Sequence, residues 1–304
     1  MEYTCHLDSW PTSQILHQPF TPNKGDMHDT TVRSIRNLQS SRRQRNNQGL
    51  FFIEGVRHFV TAVDCGARLH SILYSSKLLT SAVAEKLVRH QRRLGVPVSK
   101  VSPEAFRSIS TTDRASGVAA VVRQDVATLD CVDPIGTMFW IVLESVRSSG
   151  NLGTLLRTSA AVGGSGFIML SKQIDPYNPA VVRSSMGALF RQRYVRTDLR
   201  QLWHWVRDHH LQLIGVSPGG DTCFTKPMYH RPTLIALGNE RTGLSESVAD
   251  RCHATVRIPM LPETDSLNLG AAGALMMYEV ARKNGTFERL NQPEARGSAG
   301  RRPP

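Results

Sequence analysis

The stretch Met138-Phe139-Trp140-Ile141-Val142-Leu143-Glu144-Ser145-Val146-Arg147-Ser148-Ser149-Gly150-Asn151-Leu152-Gly153-Thr154-Leu155-Leu156-Arg157-Thr158 carries two signals in sequence. Its first six residues are an almost uninterrupted apolar run, as a strand buried on both faces of a parallel sheet requires. A polar turn follows, and then apolar residues recur at helical spacing. Asn151 is a candidate cap for that helix. Gly153 permits close approach of another segment, and Arg157 lies on the same helix.

The pattern repeats downstream. Strands are predicted at 166–170, 192–195, 211–216, 233–237 and 255–258. Helices are predicted at 151–162, 180–189, 199–209, 246–252 and 269–283. Strands alternating with helices specify a doubly wound α/β domain with a parallel sheet, and ligands bind such sheets at the carboxyl ends of the strands. Two further turns follow strands there. Gly238-Asn239-Glu240-Arg241-Thr242-Gly243-Leu244-Ser245 follows the run 234–237, with Ser245 as a helix cap. Ile258-Pro259-Met260-Leu261-Pro262-Glu263-Thr264-Asp265-Ser266-Leu267-Asn268 leads into the small-residue helix Leu269-Gly270-Ala271-Ala272-Gly273-Ala274. Plain strand–turn–helix connections explain the glycines and the small residues. They do not explain Asn239-Glu240 or the polar loop before Leu269.

Upstream, residues 31–125 also alternate. Strands are predicted at 50–55, 71–75, 96–101 and 117–123, and helices at 33–39, 56–65, 82–93 and from Pro103. This gives a smaller α/β domain, a linker at 126–136 and a domain at 137–285. Residues 1–30 and 286–304 read as a flexible extension and a flexible tail.

The net charge is +12, which favours a polyanionic partner. Residues 31–125 hold 16 Lys+Arg against 6 Asp+Glu, whereas residues 131–285 hold 16 against 12. The first domain is therefore the expected nucleic-acid surface. Five cysteines without metal-type spacing read as reduced thiols of a cytoplasmic protein, and no metal cluster is expected. No apolar run reaches the ~20 residues of a membrane span. Three other features read as ordinary structure. Gly163-Gly164-Ser165-Gly166 precedes a strand instead of following one. His204, His209 and His210 lie on a polar helix, and Trp203 and Trp205 read as packing residues.

Taken together, the three turns resemble the signature motifs of the SpoU/TrmH RNA 2′-O-ribose methyltransferases of the SPOUT superfamily: Asn-x-Gly-x-x-x-Arg at 151–157, Gly-Asn-Glu-x-x-Gly-Leu-Ser at 238–245, and Ile-Pro-Met through Asp-Ser-Leu-Asn at 258–268. The segment Asn178-Pro179 through Arg191 is similar to the family's intermotif segment. Residues Arg42-Arg43-Gln44-Arg45 and Gly49 to Gly55 resemble its N-terminal substrate-binding domain. The resemblance implies a parallel-sheet domain whose C-terminal part is tied in a trefoil knot, preceded by a smaller RNA-binding α/β domain. It implies S-adenosylmethionine as cofactor, held by Gly238, Asn239, Ile258 and Leu267, and a homodimer with no membrane association.

It also implies Arg157 as the key catalytic residue. Asn151 and Asn268 are expected to orient the ribose or the arginine, Glu240 to hold the arginine or a third-segment group, and Ser266 to hydrogen-bond. The presence of a separate N-terminal domain favours ribosomal RNA as substrate. Transfer RNA is the alternative within the same chemistry, and a non-catalytic RNA-binding protein retaining the fold is the alternative outside it.

Overall fold

In the computed structural model, residues 27–290 are described, and they form two compact units. The expected loose ends at 1–26 and 291–304 lie outside the described residues.

The first unit takes residues 27–124 together with Asp175–Phe190. Its elements are α1 (Met27–Ser40), α2 (Arg42–Gln48), β1 (Leu50–Glu54), α3 (Val56–Asp64), β2 (Leu69–Tyr74), α4 (Ala82–Arg93), β3 (Val98–Lys100), α5 (Pro103–Arg107) and β4 (Val118–Arg123). Local sequence sets several boundaries. Ser81 and Ser102 cap α4 and α5 through their side chains, and Pro103 supplies the preset φ of a first helical turn. Ser41 caps α2, and Gly49 ends it in the left-handed region. The sheet order is β1-β4-β2-β3, mixed, with β4 antiparallel to both neighbours. Its core joins Ile35 and Leu38 of α1 to Phe52, Leu73, Phe106, Ile109 and Val121.

The Asp175–Phe190 segment packs into this unit by specific contacts. Asp175 pairs with Arg45, whose side chain is 3 % exposed. Removing one member of such a buried pair costs about 3–5 kcal/mol. Tyr177 and Phe190 lie 4.5 and 6.2 Å from Phe51, centroid to centroid, and each aromatic pair adds ~0.5–1.5 kcal/mol. The His58 ring sits 3.0 Å from the Val182 carbonyl.

The second unit takes Asp125–Ile174 and residues 191–290. It continues as β5 (Phe139–Leu143), α6 (Ser149–Val162), β6 (Gly166–Met169), then, after α7 (Pro179–Ser184) in the first unit, β7 (Arg193–Arg196), α8 (Leu199–Asp208), β8 (Gln212–Val216), β9 (Thr222–Cys223), β10 (Thr233–Leu237), α9 (Glu246–Ala249), β11 (Ala254–Arg257), α10 (Leu269–Lys283) and α11 (Thr286–Leu290). The seven strands are all parallel, in the order β7-β6-β5-β10-β8-β11-β9. Every residue of β5 and β10 is buried. They pair in register from Thr233↔Phe139 to Leu237↔Leu143, so the turns that follow leave the sheet side by side.

Helix α6 packs against α10, and two glycines of α10 set the approach. A Cβ on Gly270 would crowd Thr154, and one on Gly273 would strike Leu155. The small residues at 270–274 thus serve a tight helix crossing.

The structure differs from the sequence expectations in several places. Helix α1 begins at Met27, and α2 lies where no helix is expected. Helix α7 ends at Ser184 because the chain turns into a short 3-10 segment at Ala188–Arg191. Strand β9 has only two residues, too few to show alternation, and Thr286–Leu290 is helical where a loose tail is expected.

Candidate functional site

The turns after β5, β10 and β11 interlock through side chains. Ser148, not Asn151, caps α6: its hydroxyl accepts from the Asn151 amide at 3.3 Å. This frees the Asn151 side chain, whose Nδ2 donates to Glu240 at 3.3 Å. A carboxylate only accepts, so the Asn151 oxygen must face the other way. There it accepts from Asn268 Nδ2 at 2.9 Å. The Asn268 oxygen in turn caps α10 through the Ala271 amide at 3.2 Å. One ionised group therefore fixes the sense of two amides and ties all three turns together.

Glu240 also accepts from the backbone amides of Ser148, at 2.9 Å, and Arg147, at 3.2 Å. The expectation that it holds Arg157 or a third-segment group is not met directly; it holds the first turn, and reaches the third through Asn151. Burial pushes its carboxyl up, but the amides of Ser148 and Arg147, its own amide and the Asn151 side chain outweigh this. The group is held below the ordinary value of 4.5.

Asn239 makes the second clamp. Its Nδ2 donates to the Ser145 carbonyl at 3.0 Å, and its oxygen accepts from the Arg241 amide at 2.9 Å. Its backbone exchanges hydrogen bonds with Gly243, which sits at φ 70°. Gly238 lies against this turn so closely that a Cβ would run into the Gly243 carbonyl and the Leu244 amide. Glu144 closes the set by accepting from the Ser245 amide at 3.0 Å, and Ser245 caps α9 as expected.

The turns after β8, β10 and β11 enclose a cleft of about 330 Å³, within the ~300–1,000 Å³ usual for small-ligand sites. Gly238, Asn239, Ile258 and Leu267 all line it, as do Glu240 and Ser266. Its walls mix apolar side chains (Val216, Leu237, Met260, Leu269) with backbone and carboxylates (Glu240, Asp265). That combination suits an aromatic base at one end and a positively charged group at the other, which is the chemistry of S-adenosylmethionine. Sequence reasoning missed Glu144, Ser145, Ser148, Asp265 and the pair Ser217-Pro218. The last pair was in reach, because it follows β8 at the same carboxyl edge of the sheet.

Arg157 stands apart from this network. It is exposed and, among the described residues, has no hydrogen-bond or ion-pair partner. Six residues after Asn151, it lies roughly 9 Å farther along α6 and roughly 120° around it. It is not a lining residue of the cleft. Elsewhere, no group of three or more His, Cys, Asp or Glu among the described residues could hold a metal ion, and no described helix is long and apolar enough to cross a membrane. Cys131, Cys223 and Cys252 are free, and burial pushes the Cys252 thiol up to about 12.

Comparison with known proteins identifies the family. Residues 138–278 match the model of the SpoU rRNA methylase family, and residues 29–120 match an MRM3-like substrate-binding domain. The 23S rRNA (uridine(2479)-2′-O)-methyltransferase of Streptomyces viridochromogenes is 30% identical over 253 residues, 81% of this chain and 87% of that protein. The crystal structure of the SpoU methyltransferase AviRb from that organism, in complex with the cofactor AdoMet (S-adenosylmethionine), superimposes with a TM-score of 0.76. It is 28% identical, covering 84% of this chain and 97% of that one. The AdoMet-bound rRNA methyltransferase from Sinorhizobium meliloti also gives a TM-score of 0.76, at 27% identity, covering 84% and 95%. The chain belongs to the SpoU rRNA methylase family of S-adenosylmethionine-dependent enzymes.

Proposed function

We propose that this enzyme methylates a ribose 2′-hydroxyl of ribosomal RNA, with its cofactor in the cleft of the second unit and its RNA gripped by the first. The observation that carries the reading is the meeting of Gly238, Asn239, Ile258 and Leu267 in one cleft, with Glu240 in its wall hydrogen-bonded to Asn151, which in turn holds Asn268. The named relative acts on the same hydroxyl in 23S rRNA, and the excess of basic residues in the first unit suits RNA.

The cofactor, when bound, supplies an electrophilic methyl group on a sulfonium. The chain has to exclude water, align the acceptor and accommodate the charge that develops on its oxygen. Alignment alone can contribute several orders of magnitude. Asn151 and Asn268 have fixed amide orientations, so they can hold a ribose without reorganising. Glu240 is already engaged by amide donors and orients the first turn; it is not a free base. An arginine keeps its proton at all ordinary pH values, so Arg157 acts by gripping the phosphate beside the acceptor and stabilising the forming alkoxide, for which a planar fork is suited. Ser266 lines the cleft and offers its hydroxyl as a hydrogen-bonding group there.

The exposure of Arg157 also supports a homodimer, in which this arginine serves the partner's cofactor. Helix α10, packed against α6, leaves Leu275 and Tyr278 about half exposed one turn apart, as an unpaired apolar face would. The trefoil knot belongs to the same reading. It is supported by a strand order in which β11 pairs with β8 and not with β10. So does a cytoplasmic location, which the free thiols support.

The direct test is transfer of labelled methyl from S-adenosylmethionine to purified ribosomal RNA, transfer RNA and protein, followed by mapping of the modified nucleoside. A 2′-O-methylnucleoside in ribosomal RNA supports the reading. Label in transfer RNA alone would redirect the substrate, and label in protein, or on a base, would refute the reaction.

A further inference from the structure

The first unit carries a built surface of its own, around the loop 108–116 between α5 and β4. Glu54, the last residue of β1, is aimed at it. Its carboxylate accepts from the Ser110 hydroxyl at 2.6 Å and the Thr111 amide at 2.8 Å, with the Thr111 and Thr112 hydroxyls at 3.3 and 3.4 Å. Gly117 fixes the other end: it has φ 77°, and a Cβ there would strike the backbone of Leu78 and Leu79. The loop is exposed at residues 111–114 and yet held in one shape.

Two arginines reach it from other elements, a third lies within it, and a fourth lies close to Glu54 in sequence. Arg36 of α1 donates Nε and Nη2 to the Ser108 carbonyl at 3.3 and 3.2 Å. Arg183 of α7 donates Nη1 to the Thr111 carbonyl at 3.3 Å. Arg114 lies in the loop itself. Arg57 is the second residue of α3, three positions after Glu54. All four are exposed, and among the described residues none forms an ion pair. Arg107 does, loosely, with Glu104 at 3.9 Å. Asp113 is the one acid of the loop, and the Glu54 oxygens are taken up by loop donors. Structural need accounts for the carbonyl contacts of Arg36 and Arg183. It does not account for Arg57 and Arg114, whose side chains hydrogen-bond nothing described. Four unpaired like charges around a fixed loop repel one another, and a polyanion relieves that cost.

We propose that this loop and Arg36, Arg57, Arg114 and Arg183 grip the phosphate backbone of the RNA substrate, with Glu54 as a positioning residue. Arg183 makes the Asp175–Phe190 segment part of the RNA surface, although that segment lies between two strands of the methyltransferase sheet in chain order. The proposal rests on the ribosomal-RNA reading above.

The test uses the full chain and deproteinised large-subunit ribosomal RNA, with affinity measured by filter binding over a range of salt. Arg114→Ala and Arg183→Ala are each expected to weaken RNA binding about three- to tenfold and to lower the salt slope by about one unit, the signature of a lost phosphate contact. The Arg114 side chain bonds nothing described, and its carbonyl contact with the Thr112 hydroxyl survives truncation to alanine, so the variant is expected to keep the fold. Arg93→Ala on α4 removes the same charge from elsewhere in the unit and is expected to change neither quantity. In turnover the effect falls on the KM for RNA, and S-adenosylmethionine affinity does not move. Unchanged affinity in both loop variants, or an equal loss in Arg93→Ala, overturns this surface while methyl transfer by the wild type leaves the reaction standing. Absence of transfer by the wild type strikes the reaction, and the binding data still judge the surface.

Discussion

Glu240 and Glu54 stand at the ends of strands in different units, and each clamps a neighbouring loop with one carboxylate. Glu240 accepts mainly from backbone amides, and among the described residues the one side chain it holds is Asn151, which relays its orientation to Asn268. Glu54 accepts from one amide and three hydroxyls, all of them within Ser110, Thr111 and Thr112 of a single loop. In the proposed function the first clamp presets chemistry, because groups placed before the reaction need not reorganise during it. The second shapes a surface for a long, charged ligand that tolerates small displacements. On the proposed reading, the difference teaches that one device serves catalysis in one unit and capture in the other.

The largest effect that would break this comparison concerns the cleft itself. Gly238→Val places branched carbons where the Gly243 carbonyl and Leu244 amide already sit. Calorimetric affinity for S-adenosylmethionine is expected to fall by about 100-fold or more, with ribosomal-RNA binding retained. Equal loss of both would mean that the two functions are not separable. Next come the clamps compared head to head. Glu240→Ala frees the turn carrying Asn151 and is expected to lower kcat about 100-fold, the scale of one lost preorganising contact. Glu54→Ala is expected to raise the KM for RNA several-fold and to spare kcat. Steady-state kinetics that show the reverse split would exchange the roles.

The smallest effect is in pH. Because the Glu240 carboxyl is held below 4.5 when folded, its contribution to stability is present above the unfolded value and is lost as pH falls through the lower folded value. The melting temperatures of wild type and Glu240→Gln should therefore differ at neutral pH and converge only below about pH 4.5. A gap that closes between pH 7 and 5 would show that the group is not so held.

Much of the catalytic unit was legible because its signals are local. Phe139–Leu143 and Thr233–Leu237 are apolar runs, and Gly238-Asn239-Glu240 is out of place as a mere connection. The cap of α6 was misread for a local reason too: Ser148 and Asn151 are both cap-forming types, and only the hydrogen bond between them shows which one does the capping. Other features are not local. Arg45 meets Asp175 and Thr111 meets Arg183 across long stretches of chain, and no periodicity records such meetings. The expectation for Glu240 erred in the same way: its type and place were readable, but its partners were not.

The most direct measurement is single-turnover methyl transfer to ribosomal RNA by Arg157→Ala, paired with calorimetry of S-adenosylmethionine binding to the same variant. The account predicts that transfer falls at least about 1,000-fold while cofactor affinity stays within about twofold of wild type. Transfer near the wild-type rate would contradict it.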